Sequence, residues 1–187
     1  MDLTPLIASF LLVAVAELGD KTQLTVITLS SCSNAILVFT GAMLAFMLVA
    51  GIGVAVGDVL NLVIPLPAIR VASALLFLAY GVYMLLSRKS EEPVEKSNTG
   101  CVALSAFSMI TLMELGDKTQ LAVIALAAEY GIPILVYAGV IAAFTLVTGL
   151  GVLIGRTIIR LIPLKYIKLG SGIVFLLFGI IFLINVI

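Results

Sequence analysis

The sequence predicts an all-α integral membrane protein of six transmembrane helices, arranged as two inverted-topology three-helix repeats. Three observations carry this. Of the 187 residues, 63% are hydrophobic and 11% charged, whereas a soluble domain carries roughly a quarter charged residues. Six apolar runs each approach the roughly 20 residues that a helix needs to cross a hydrocarbon core. The second half of the chain also repeats the first.

The first run is about Pro5 to Thr28. The polar break Ser30-Ser31-Cys32-Ser33-Asn34 follows, with Ser33 or Asn34 placed to cap the next helix. The second run is about Ala35 to Gly57, and Asp58 to Pro67, with prolines 65 and 67, reads as a turn region. The third run is about Ala68 to Leu86. Ser87 to Gly100 is hydrophilic, with Arg88, Lys89, Glu91, Glu92, Pro93, Glu95 and Lys96, and its mixed charge without periodicity predicts a flexible linker. The fourth run is about Cys101 to Ala127, the fifth about Ile132 to Gly155 and the sixth about Leu164 to Val186. Met1-Asp2-Leu3 offers no basic n-region, so the first run is expected to be a retained helix and not a secretory signal.

The repeat defines the units. With an offset of 97, Glu17-Leu18-Gly19-Asp20-Lys21-Thr22-Gln23-Leu24 recurs letter for letter as Glu114-Leu115-Gly116-Asp117-Lys118-Thr119-Gln120-Leu121. With an offset of 98, Gly41, Gly51, Gly53 and Gly57 align with Gly139, Gly149, Gly151 and Gly155. Phe46 then aligns with Phe144, and Ser73, Phe77 and Gly81 with Ser171, Phe175 and Gly179. Residues 1–86 are the first three-helix repeat, 87–100 a charged cytoplasmic linker, and 101–187 the second repeat. Three helices leave the chain on the far side of the bilayer, so the second unit runs inverted, as in many transporters with midplane sites. The glycine spacing Gly53-x-x-x-Gly57 and its copy suit close helix approach in lipid. Gly51-x-Gly53 is not a nucleotide fingerprint, because no strand precedes it.

Arg88, Lys89, Lys96, Arg156, Arg160, Lys165 and Lys168 fall on one side of this topology and only Arg70 on the other. The first side is therefore expected to be cytoplasmic, with both termini outside. A multi-pass protein of a prokaryotic cell membrane is the expected setting, and oligomeric state is left open, a homo-oligomer included. Net charge is zero, so no basic surface invites nucleic acid. Cys32 and Cys101 match no metal or redox spacing. There is no histidine, which leaves proton chemistry to carboxylates. No nucleophile–base pair or cofactor motif is visible, so neither an enzyme nor a resident cofactor is expected.

The octamer places acids and lysines near the centre of the first and fourth runs, where charge is costly and usually functional. On a regular helix, Asp20 lies about 60° to one side of Glu17 and Lys21 about 40° to the other. Gln23 borders this polar sector on the Asp20 side. Gly19 and Gly116 warn that the helix can unwind here and free backbone carbonyls. Glu17, Asp20, Glu114 and Asp117 supply four negative charges, and Lys21 and Lys118 two positive ones. The remainder, minus two, balances one divalent cation or two protons. Oxygen donors without imidazole or thiolate suit hard cations such as calcium, manganese or magnesium. Thr111, Thr145 and Thr148 could add oxygens, as could Thr25 and Thr28, although membrane threonines often bond their own helix. A bland alternative makes Glu17–Lys21 and Glu114–Lys118 helix-stapling i,i+4 pairs. It leaves both aspartates and the Thr-Gln pairs unexplained.

The duplicated pattern Glu-x-Gly-Asp-Lys/Arg-Thr/Ser in a six-helix chain resembles the family of the Golgi manganese and calcium transporter. That family includes plastid and bacterial manganese exporters and lies within the wider lysine-exporter superfamily. The resemblance covers the whole chain, which looks like a minimal version without an organellar targeting extension. It implies exchange of a divalent cation, Mn2+ and/or Ca2+, for protons, exporting the cation from the cytosol. It also implies that Glu17, Asp20, Glu114 and Asp117 are the cation ligands, with Thr22 and Thr119 at the motif's hydroxyl positions. Gln23, Gln120, Lys21 and Lys118 are expected in supporting roles. When the cation leaves, low dielectric and mutual repulsion favour proton uptake by the same acids. The rival functions are a divalent-cation channel or uniporter and a cationic amino-acid exporter.

Overall fold

In the computed structural model, which describes residues 2–86, 102–161 and 164–184, the chain is all-helical. Eight helices occur among the described residues: α1 (Thr4–Glu17), α2 (Lys21–Cys32), α3 (Ala35–Val63), α4 (Leu66–Leu86), α5 (Val102–Glu114), α6 (Lys118–Tyr130), α7 (Pro133–Leu161) and α8 (Leu164–Ile184). The first and fourth apolar runs are therefore not continuous helices. Each is cut at the octamer, into α1 and α2 and into α5 and α6. Linker residues 87–100, Cys101 and Pro163 lie outside the described residues, as do the side chains of Cys32, Arg156, Arg160, Lys165 and Lys168.

Local chemistry sets the other boundaries. Asn34 caps α3, its Oδ1 accepting from the Ile36 and Leu37 amides at 3.0 and 3.4 Å. The expected turn over 58–67 shrinks to Ile64 and Pro65, because α3 runs on to Val63 and α4 starts at Leu66. Pro65 contributes its carbonyl, which accepts from Ala68 and Ile69. Pro67, in the first turn of α4, lacks only an amide that would have had no helical partner.

Three helical segments are long and apolar enough to cross a membrane: Ala35–Val63, Leu66–Leu86 and Pro133–Leu153. Shorter apolar helices are Thr4–Glu17, Val102–Glu114 and Leu169–Ile184. Large apolar side chains such as Ile36, Leu62, Leu112, Ile134 and Leu153 stand exposed on the outside of the bundle. An apolar exterior of this extent suits lipid and not water.

The interior joins the two halves. The main helix contacts are α1 with α7, α3 with α5, α6 and α7, and α4 with α8. Residues aligned by the repeat meet each other. Phe46 stacks on Phe144, with ring centroids 3.9 Å apart and planes 16° from parallel. Phe77 meets Phe175 edge-on at 5.8 Å.

Glycine permits the closest approaches. A Cβ at Gly57 would lie 2.5 Å from the Ile124 carbonyl oxygen and 2.6 Å from Ala127 Cβ, both on α6. At Gly53 it would meet Val123 at 3.2 Å, but at Gly51 the nearest atom is a Tyr137 ring carbon at 3.9 Å. Gly53 and Gly57 thus form the α3–α6 contact and Gly51 does not. Gly57→Ala is expected to destabilise the protein by about 1–3 kcal/mol through overpacking. Gly51→Ala should stay within about 0.5 kcal/mol. Paired thermal unfolding in detergent checks this, and equal shifts would contradict the packing.

Candidate functional site

Each octamer is built around a left-handed glycine. Gly19 has φ 70° and Gly116 φ 80°, a conformation open to glycine without steric cost. α1 ends at Glu17, two residues turn the chain, and α2 begins at Lys21 after the N-cap Asp20. The second copy does the same from Glu114 to Asp117 and Lys118. The helical-wheel expectation therefore fails: Glu17 and Asp20 do not share one helix face, because they lie on opposite sides of a break. An i,i+4 staple from Glu17 to Lys21 fails for the same reason.

The backbone amides in the breaks are satisfied internally, as an apolar setting requires. The Leu18 amide donates to Ala14 O at 3.2 Å and the Asp20 amide to Glu17 O at 3.2 Å. The Leu115 and Asp117 amides pair likewise with Thr111 O and Glu114 O, at 3.0 and 3.1 Å. Gln23 and Gln120 supply the remaining acceptor. The Gly19 amide donates to Gln23 Oε1 at 2.5 Å and the Gly116 amide to Gln120 Oε1 at 2.6 Å. This is a variant of the capping box, with the third helical residue reaching back to the turn. Both glutamines, expected as secondary ligands, thus hold the turns in shape.

That division of labour releases the aspartates. Asp20 and Asp117 occupy N-cap positions with extended backbones, yet neither side chain caps its helix. An N-cap Asp ordinarily accepts from the first turn. Here the two carboxylates sit at the positive ends of α2 and α6, which favour negative charge, and turn to other partners.

Those partners cross between halves. Thr22 Oγ1 donates to Glu114 Oε1 at 2.5 Å, and Thr119 Oγ1 donates to Glu17 Oε1 at 2.5 Å. Lys118 Nζ lies 2.7 Å from Asp20 Oδ1 and 3.2 Å from Asp117 Oδ2, while Lys21 Nζ lies 3.4 Å from Asp117 Oδ1. Glu17, Asp20 and Glu114 each offer a ligand oxygen, and these atoms all lie within 4.8 Å of one another. The three residues are 2%, 6% and 1% exposed. Of the four expected ligands, three converge. Asp117 is placed with the lysines beside them and is more open, its side chain 18% exposed. Three anionic oxygens this close repel unless a cation or protons lie among them. The group can therefore bind and release positive charge.

The threonines divide. Thr25, Thr28 and Thr145 donate to the carbonyls four residues earlier, at 2.9, 2.8 and 2.7 Å, as membrane threonines commonly do. Thr111 Oγ1 is buried with no hydrogen-bond partner among the described residues, and Thr148 is buried. Sequence reasoning missed a hydroxyl that braces the site from outside the octamers. Ser171 Oγ donates to Val15 O at 2.6 Å, bracing α1 two residues before Glu17. The repeat alignment of Ser73 with Ser171 was the available signal.

Comparison with known proteins bears on this site. A family profile described as "Divalent cation/proton antiporter GDT1" matches residues 5–92 and 102–187. Protein PAM71, chloroplastic, of Arabidopsis thaliana is 30% identical over 202 residues, which cover 92% of this chain and 54% of that protein. GDT1-like protein 5 of the same plant is 38% identical over 93 residues, covering 50% of this chain and 40% of its own length. A GDT1-like protein of Synechocystis sp. is 27% identical over 203 residues, covering 96% of both. The chain thus spans about half the length of the two plant relatives and nearly all of the cyanobacterial one. No solved structure matches it.

The Thr–Glu bonds make a discriminating test. Hydrogen bonds to charged groups contribute about 1.5–3 kcal/mol. Thr119→Val is expected to weaken divalent-cation binding by roughly 10-fold or more on that basis, while Thr119→Ser, which keeps the donor, stays near wild type. Calorimetric titration of purified variants measures this, and equal losses in both variants would exclude the hydroxyl as the cause.

Proposed function

Because the chain belongs to the GDT1 family of divalent cation/proton antiporters, we propose that it exchanges Mn2+ and/or Ca2+ for protons and exports the cation from the cytosol. The observation that carries this reading is the buried group of Glu17, Asp20 and Glu114, with each glutamate held by a threonine of the other half. Such a site has only oxygen donors, which suits a hard divalent cation.

The proposal extends to architecture. α1 and α2 act together as one span and α5 and α6 as another, giving six spans in two inverted three-helix units. Contacts between repeat-aligned residues support this, since a residue that touches its own mate lies on the axis relating the units. Phe46 with Phe144 and Phe77 with Phe175 do so. The broken helices support it as well, because discontinuous spans with half-helix ends at a midplane site recur in inverted-repeat transporters. By the charge asymmetry of the loops, both termini face outward and residues 87–100 lie in the cytoplasm.

The mechanism follows from charge. Glu17, Asp20 and Glu114 contribute three negative charges and Lys118 one positive, leaving minus two; Asp117 and Lys21 cancel. One M2+ neutralises that remainder, and so do two protons. Cation and protons compete for the same oxygens, so the loaded forms are of equal charge and either can cross a low-dielectric barrier. Burial of all three carboxylates favours a carrier over an open channel, in which ligands stay in contact with water. Ca2+ and Mn2+ both fit the donor set.

Two expected outcomes test the reading. In proteoliposomes with an internal pH indicator, Mn2+ or Ca2+ entry should drive protons outward, and more acidic assay medium should weaken cation uptake. Cation flux with no proton counter-flux would instead indicate a channel or uniporter. Glu17→Gln and Asp117→Asn should each reduce exchange at least about 10-fold, given the 1.4 kcal/mol per decade that one lost charge contact readily exceeds. Wild-type rates in both variants would sink the shared site.

A further inference from the structure

The two lysines of the octamers are identical in sequence context and unequal in place. Lys118 is 8% exposed. Its ammonium lies 2.7 Å from Asp20 Oδ1 and 3.2 Å from Asp117 Oδ2. Lys21 has a side chain 33% exposed and reaches Asp117 Oδ1 at 3.4 Å. The buried ammonium therefore bridges the aspartates of both halves from within the site, whereas the other approaches from its edge.

Asp20 is also a member of the three-carboxylate group. An ammonium at 2.7 Å saturates one of its oxygens with a charge-assisted hydrogen bond, and positive charge there opposes a second cation among the same acids. Both cannot hold Asp20 at full strength. Lysine has a long flexible stem, and Asp117 lies within reach as the place to which the ammonium can withdraw.

We infer that Lys118 is the resident cation of the empty carrier, occupying Asp20 until an incoming divalent cation displaces its ammonium onto Asp117. This deepens the cation-exchange reading and rests on it. Lys118 acts as a competitor built into the site, setting affinity low enough for release. It needs no change in its own protonation. Removing it leaves the carboxylates with less compensation and makes an external cation more welcome. A purely structural staple would behave in the opposite way, because its loss would disorder Asp20 and weaken binding.

The test compares Lys118→Gln, Lys118→Arg and Lys21→Gln in the full chain, with Mn2+ as the probe. Titration calorimetry in detergent gives affinity, and uptake into proteoliposomes gives KM and kcat. Lys118→Gln is expected to bind Mn2+ about 10-fold more tightly, the effect of roughly one decade in the equilibrium constant. Its KM and kcat should fall together, because a cation without its competitor leaves slowly. Lys118→Arg keeps the charge and should stay within about 3-fold of wild type in KM, a shift of under one decade. Lys21→Gln should shift affinity by less than Lys118→Gln. Weaker or unchanged binding in Lys118→Gln, beside a Lys118→Arg that binds normally, would overturn the resident-cation role and leave exchange itself intact. Equal tightening in Lys21→Gln would overturn it too, as a general charge effect. A wild-type protein with no saturable Mn2+ or Ca2+ binding would remove both proposals.

Discussion

The structure depends on one constraint: charge and exposed backbone cannot be left uncompensated where water is scarce. The octamer meets both demands together. A left-handed glycine ends the helix, which frees amides and carbonyls in the middle of an apolar bundle. The glutamine four residues on takes the glycine amide, and the carbonyl of Glu17 or Glu114 takes the aspartate amide. With the turn's amides satisfied by other groups, the aspartate side chain at the helix start makes no capping bond. Its carboxylate then becomes available to cations.

Compensation of the acids is shared between halves. Each glutamate accepts from the threonine of the other copy, and the aspartates share the ammonium of Lys118. Neither copy can therefore form the site alone. This requires the halves to sit in close register, and the glycine contacts provide it. Gly57 lets α3 lie against the backbone of α6, which carries Lys118 and Thr119. Gly139 lets α7 approach α1, where a Cβ would collide with Ser9 and the Leu6 carbonyl. Ser171 then fixes the end of α1 close to Glu17. Helix packing and site geometry are thus one construction, because the same contacts between halves hold both.

Much of this was legible in the chain itself. Composition and run length identified the membrane class, because helices in lipid must be apolar on nearly all sides. The offsets of 97 and 98 exposed the duplication, and acids in the two oily runs pointed to the place where three carboxylates converge. Capping by Asn34 followed from a polar residue at the edge of an apolar run. The local pattern misled over the turn at 58–67, since Pro67 was counted as a breaker although it is harmless in a first helical turn. It also misled over Glu17 and Asp20, which a continuous helix would have placed on one face.

What sequence alone determined is the inventory: two octamers, their donor atoms and their formal charge. These are properties of residue type and spacing, and they survive any packing. Only tertiary structure decided which oxygens converge. Glycine can continue a helix or take the left-handed turn, and the choice depends on partners distant in sequence. Gln23, expected among the ligands, became part of the backbone frame. Asp117, indistinguishable from Asp20 by its neighbours, came to lie with the lysines and apart from the close trio. Lys21 and Lys118 parted in the same manner. Identical letters came to stand in different surroundings because packing buries Asp20 and Lys118 more deeply than Asp117 and Lys21.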